Sequence, residues 1–287
     1  MKNLVKASMM LLAVFLLVTN ACNKIDDSEK SGKGRLVIKL TDAPFPVNLV
    51  DQTLVTIDKI EIRSKVSVET AEGETEDETI YTVLFEGEKV INLLDLQNGI
   101  TEELLSMDID AGSYDLIRLH VTSSEVILKD GTSFDLTIPG GNSSGIKIKI
   151  SPELDIESGI ESEVLLDFDV SKSFVVQGNM NTPAGIKGFL FKPVIRAIHQ
   201  NISGIIEGTV FENETTPVAE AHVQIIVADT VFSSAITDAT GSYALIGLPA
   251  GNYKMVCEKE SYTTVLVDLV TVKVKETTIQ DFLLIKE

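Results

Sequence analysis

The chain has 287 residues, with 24 Lys and Arg against 43 Asp and Glu, and a formal net charge of −19 at pH 7. So acidic a surface repels phosphate backbones and anionic lipid headgroups, which excludes nucleic acid as a partner. Two cysteines and three scattered histidines leave no disulfide framework, no zinc knuckle and no H-x-x-x-H pair.

The N-terminus reads as an address. Lys2 and Lys6 precede an apolar run from Met9 to Val18, and small Ala21 stands directly before Cys22. This is the plan of an exported signal peptide, too short and one-sided for a membrane span. The cysteine placement makes it resemble a bacterial lipoprotein signal, which implies that Cys22 carries the lipid and becomes the new N-terminus. Several acyl chains on one residue give a lasting anchor where a single chain does not. Removing residues 1–21 takes two lysines and no acid, so the mature charge is −21. The polar stretch after Cys22 lacks apolar periodicity and reads as a flexible tether. Its Lys24-Ile25-Asp26-Asp27 resembles the acidic export signal of some Bacteroidetes lipoproteins, which implies surface exposure.

The rest of the chain reads as short alternating runs broken by Gly, Pro, Asn and Asp, the pattern of an all-β protein. Leu36, Ile38 and Leu40 share one strand face. Val55 and Ile57 have one parity and Ile60 and Ile62 the other, which predicts a bulge near Asp58-Lys59. Residues 66–79 carry six acids (Glu69, Glu72, Glu74, Glu76, Asp77, Glu78) and no base. They lack the Gly-punctuated ligand ladder of a calcium loop and read as a solvated hairpin tip. The one expected helix is short, at 101–107, with Leu104 and Leu105 packing inward. Asp130-Gly131 suits a two-residue hairpin turn. Beyond it, Phe134, Leu136 and Ile138 alternate, as do Ile146, Ile148 and Ile150.

In order, RLVIKLTDAP, INLLDLQNG, AGSYDLIRLHV, DGTSFDLTIPGG, SGIKIKI, LLDFDVSKSFVV and FKPVIRAI resemble the bacterial lipoprotein domain known as domain of unknown function 4382. The resemblance implies a secreted, lipid-anchored β domain and brings no catalytic residues with it. From Ser203 a second module begins, with hairpin turns at Asp238-Ala239-Thr240-Gly241 and Leu248-Pro249-Ala250-Gly251. Tyr243 and Leu245 point inward, and so do Tyr253, Met255 and Cys257. This module resembles the carboxypeptidase regulatory-like domain, a small transthyretin-like β-sandwich. Cys257 is expected as a buried, inert thiol.

Three motifs bear on chemistry. Gly141-Asn142-Ser143-Ser144-Gly145 spells G-x-S-x-G, but a nucleophile elbow needs a strand, a sharp turn and a helix. Here strands flank it on both sides. Ser144 and Lys147 spell S-x-x-K, yet residues three apart in an extended chain face opposite ways. Asp167 with Asp169, and Asp108 with Asp110, form strand pairs about 6.5 to 7 Å apart by strand rise. Glycosidase carboxylates stand at such separations, but in clefts lined by aromatic rings, and this chain has no Trp and five Tyr. These four aspartates are the candidates for ligand or calcium contact. His120, outward with Arg118 and Thr122, is expected at the surface.

These readings give an all-β chain of two consecutive β-sandwich domains after a lipoprotein signal peptide and tether. The segments are 1–21 (signal), 22–33 (tether), 34–200 and 203–287. The expected function is a non-enzymatic, lipid-anchored envelope protein that binds or scaffolds a glycan or another envelope protein. The alternative is a hydrolase of esterase or glycosidase type with its site in the first domain. Cys22 is the lipid-attachment residue; no catalytic residue, metal ligand or cofactor is expected. The expected location is the outer membrane, held by the lipid and exposed at the surface, with a periplasmic face as the other orientation.

Overall fold

The structure is a computed structural model that describes residues 32–43, 49–69, 75–139 and 144–287. Cys22, most of the tether, the tip of the acidic hairpin and Ser143 lie outside these residues. The first region contains β1 (Lys33–Ala43), β2 (Val50–Glu69), β3 (Thr75–Asn92), β4 (Glu102–Asp110), β5 (Gly112–Leu128) and β6 (Ser133–Asp135). It continues with β7 (Ile146–Ile156), β8 (Glu161–Asp169), β9 (Phe174–Gly178), β10 (Ile186–Phe191) and β11 (Ile195–His199). One hydrogen-bonded path runs β3-β2-β5-β7-β11-β8-β1-β4, with β6 beside β5 and β9–β10 as a separate hairpin.

The two halves of this path close around one core. Ile57, Ile60, Ile117 and Leu119 come from β2 and β5; Leu36, Ile38, Leu166 and Phe168 come from β1 and β8. Phe168, Phe174 and Phe191 stack together with centroids 5.0 to 6.2 Å apart. The change of parity in β2 is a bulge between Ile57 and Lys59, where the sequence places it.

The second region has β12 (Ser203–Asn213), β13 (Thr216–Pro217), β14 (His222–Val227), β15 (Thr230–Ile236) and β16 (Ser242–Pro249). It ends with β17 (Gly251–Glu258), β18 (Val265–Val272), β19 (Thr277–Ile279) and β20 (Phe282–Leu283). One sheet is β13-β12-β16 with β19 and β20 on β12; the other is β15-β14-β17-β18. Their inner faces share Ile206, Val223, Tyr243, Leu245, Met255 and Cys257, which is a β-sandwich.

Three sequence expectations need correction. The stretch 101–107 is strand from Glu102 on, not helix: β4 pairs antiparallel with β1, and Ile38 faces Leu105 while Lys39 faces Glu103. Leu104 is therefore the extra residue of a bulge, and two adjacent inward leucines imitate a helix face. The Asp130-Gly131 hairpin has three loop residues, because Leu128 N–H donates to the Thr132 carbonyl across Lys129, Asp130 and Gly131. β1 starts at Lys33, one residue inside the expected tether.

Candidate functional site

The four candidate aspartates are not brought together. Asp108 stands 3.6 Å from Arg35, both side chains being half or more exposed. Exposed Asp110 offers its carbonyl to the Tyr114 hydroxyl at 2.8 Å. Along β1, Arg35 faces Asp108 whereas Ala43 faces Asp169. Eight steps along the strand separate the two pairs, about 26 Å by strand rise. Asp169 is buried and caps the helical turn Val170–Ser173, accepting from Ser171 Oγ at 2.6 Å and the Lys172 amide at 3.1 Å. Its other oxygen meets Lys172 Nζ at 2.7 Å. Asp167 is buried against the Arg196 guanidinium. Burial pushes its carboxyl above the ordinary value, and Arg196 offsets part of that rise. Among the described residues, no group of three His, Cys, Asp or Glu side chains is placed to hold a metal.

His120 is buried, contrary to the sequence expectation. The strand face is as read, but it is covered. His120 Nε2 lies 2.9 Å from Glu61 Oε2, Arg118 Nη1 lies 3.1 Å from the same oxygen, and Lys59 Nζ lies 2.9 Å from Oε1. The Arg118 guanidinium stacks 3.7 Å over the Tyr81 ring. Gly145 closes the cluster from above: a Cβ there would come within 2.6 Å of Arg118 Cγ and 3.1 Å of His120 Cε1, at φ +62°. So the last glycine of G-x-S-x-G sits on the His120–Glu61 pair. The strand that follows, β7, confirms that no helix follows the motif. Burial works against ionising Glu61. Hydrogen bonds from His120 and Lys59 and the charges of Lys59 and Arg118 outweigh it and hold the carboxyl at about 2, against an ordinary 4.5. An acid so firmly ionised and shared among three partners serves as the centre of an ion network.

The junction of the two regions holds what sequence reasoning missed. In β8, Val164, Leu166 and Phe168 face the core, so Leu165, Asp167 and Asp169 should face water. All three are buried, because the second region packs on them. Gly247 lies tight against the first region: at φ +70°, its added Cβ would lie 2.9 Å from Ile198 Cδ1 and 3.1 Å from Leu165 Cδ2. Asn98 and Gly99 both have positive φ, the type I′ geometry that Asn-Gly favours. Thr41 Oγ1 steadies the turn by donating to the carbonyls of Leu96 (3.1 Å) and Ile100 (2.9 Å). Asn98 then reaches the free edge of β16. Its Nδ2 donates to the Ser242 carbonyl at 3.2 Å, and its Oδ1 accepts from the Ala244 amide at 2.6 Å. Arg196 stacks 4.3 Å over the Phe232 ring, and Lys172 Nζ donates to the Val231 carbonyl at 3.2 Å.

Beside these contacts lies a cavity of about 470 Å³, walled by both regions. Parallel pairing sets Ala197 opposite Ile150, so Lys149 and Arg196 stand abreast on the face away from the core. Ile198, Ile202, Phe232 and Pro249 supply apolar wall. His199 also lines the cavity, its Nε2 2.8 Å from the Pro152 carbonyl. That partner only accepts, so Nε2 carries the proton. The volume lies in the ordinary range of small-ligand sites.

Cys257 is fully buried, and burial pushes its thiol up to about 12. In the Cys22→Ser chain, iodoacetamide at pH 8 is expected to leave Cys257 unmodified until denaturant unfolds the second region. Labelling at the rate of a free thiol under native conditions would contradict this packing.

Comparison with known proteins gives two family matches. Residues 33–193 match the model described as Domain of unknown function (DUF4382), and residues 205–284 match the Carboxypeptidase regulatory-like domain. No curated protein matches. Among solved structures, the Bacillus anthracis TIE protein is 12% identical over 89% of this chain, which spans 34% of that protein's length, with a TM-score of 0.25. A shaft pilin SpaA of Lactobacillus rhamnosus GG is 9% identical, covering 90% of this chain and 98% of its own, with a TM-score of 0.29. BcpA, the major pilin subunit of Bacillus cereus, is 12% identical, covering 89% and 71%, at 0.25. Superpositions at these scores do not establish a common fold. Among the described residues no helix is long and apolar enough to cross a membrane.

Proposed function

The chain belongs to the DUF4382 family, and we propose that it is a non-enzymatic, lipid-anchored envelope protein whose joined β regions form one binding unit. The junction cavity carries this reading. It is a ligand-sized wall shared by two separately cored regions, and its lining is mostly apolar. Elsewhere the chemistry-bearing residues are committed: Asp167 to Arg196, Asp169 to its helical turn, Glu61 to His120, Arg118 and Lys59. For a glycan, the cavity offers no Trp or Tyr and one Phe ring, Phe232, which Arg196 already covers. That composition favours a non-glycan ligand or an envelope protein.

The hydrolase reading keeps one observation in its favour, the position of Gly145 on the buried His120–Glu61 pair. A panel of generic ester and glycoside substrates separates the two. No turnover is expected. Turnover abolished by both Ser143→Ala and His120→Ala would replace the binding reading with catalysis.

The anchor rests on Cys22 behind a signal-like apolar run. Cells fed labelled palmitate are expected to label the wild-type chain and not Cys22→Ser. Label that persists in the variant would remove the lipid anchor from this proposal. Protease added to intact cells tests surface display; a chain cut only after lysis faces inward.

A further inference from the structure

We infer that the junction cavity binds an amphipathic carboxylate of fatty-acid type, with its carboxylate at Lys149 and its chain along Ile198, Ile202 and Pro249. This rests on reading the junction as a binding site and names the ligand class for it.

The charge pattern is the first ground. The chain carries 43 acids against 24 bases, yet the thirteen residues lining the cavity include Lys149, Arg196 and His199 and no acid. Arg196 is largely neutralised by Asp167, its cross-strand neighbour on β8, which is not part of the lining. Lys149 is exposed beside it, and no ion pair engages it among the described residues. One unneutralised cation at the edge of an apolar enclosure selects one anionic group.

The polarity of the wall is the second ground. Apart from the cationic groups, the lining is mostly Ile195, Ala197, Ile198, Ile202, Phe232 and the two prolines. Of its two hydroxyls, Ser203 is already spent on Gln200, donating at 2.9 Å to Oε1. A sugar or an extended peptide brings many donors and acceptors, and each one buried without a partner costs about 1–3 kcal/mol. An unbranched hydrocarbon brings none. Covering these walls removes apolar surface from water on both sides.

The test uses the full chain carrying Cys22→Ser, with dodecanoate as probe, followed by calorimetry and by displacement of an environment-sensitive fluorescent fatty acid. Saturable one-to-one binding is expected. Lys149→Glu should weaken it by about tenfold or more, since a like charge then meets the carboxylate. Ile202→Asp, at an exposed position, should weaken dodecanoate and its methyl ester alike. The methyl ester should bind the parent chain less tightly than the acid and be indifferent to Lys149→Glu. If the ester binds as well as the acid and Lys149→Glu changes neither, the carboxylate assignment falls while the cavity stands as an apolar site. If neither probe binds, or Ile202→Asp leaves both unaffected, the fatty-acid assignment is overturned, while the binding reading beneath it, which also admits an envelope protein, is left to pull-down from intact cells.

Discussion

Gly247→Val is expected to separate the two β regions and lower the stability of the chain by about 3 kcal/mol or more. A β-branched residue at φ +70° is strained by roughly 1–3 kcal/mol. Its side chain must also displace Ile198 and fully buried Leu165, an overpacking cost of similar size. Denaturant unfolding of the Cys22→Ser chain, followed by circular dichroism, should change from one transition to two. Trypsin should gain a cut after Arg196 or Lys172, two cations that wild-type packing engages across the junction. Asn98→Ala offers a milder version without steric conflict. It removes two hydrogen bonds and leaves the Ala244 amide unanswered, for about 1–2 kcal/mol. A single wild-type transition with an unmoved midpoint in Gly247→Val would show that β16 does not rest on β8 and β11.

Glu61→Gln is expected to cost about 2 kcal/mol at pH 7, since it leaves Lys59, Arg118 and His120 converging on a neutral amide. The pH dependence identifies the cause. A carboxyl held at about 2 in the folded chain, against 4.5 ordinarily, adds stability that is fully present above its unfolded value. That contribution drains as the pH falls through 4 toward 2. The gap between wild type and Glu61→Gln should therefore be widest at neutral pH and shrink steadily below pH 4. Denaturation midpoints at pH 7, 4 and 3 measure it. A gap of constant size would assign the loss to shape alone.

Much of the architecture was legible in residue order. Alternation placed Leu36, Ile38 and Leu40 in the core, and likewise Tyr243, Met255 and Cys257. The parity break at Ile57 announced its bulge. Where the alternation failed to inform, a specific event intervened. At Leu104 the inserted residue put two leucines side by side and imitated helical spacing. At His120 the strand face was correct and the exposure wrong, because Glu61 lies 59 residues away in sequence and Gly145 covers the ring. The candidate site was less legible still. Asp167 and Asp169 read as a pair on one strand face, since a single strand shows two faces but not what is laid on the second. The one local signal of the junction was Asn98-Gly99, which reads as a turn and whose side-chain amide meets a partner 146 residues later.

β16 stands at the end of its sheet, and such a margin normally carries bare amides and carbonyls on which a foreign strand can zip. Here the carboxamide of Asn98 fills one donor and one acceptor position on it. The same contact that holds the regions together thus insulates the sheet from growing sideways. Crowded copies of the chain would meet through their side chains, and Asn98→Ala is the variant expected to pair edge to edge first.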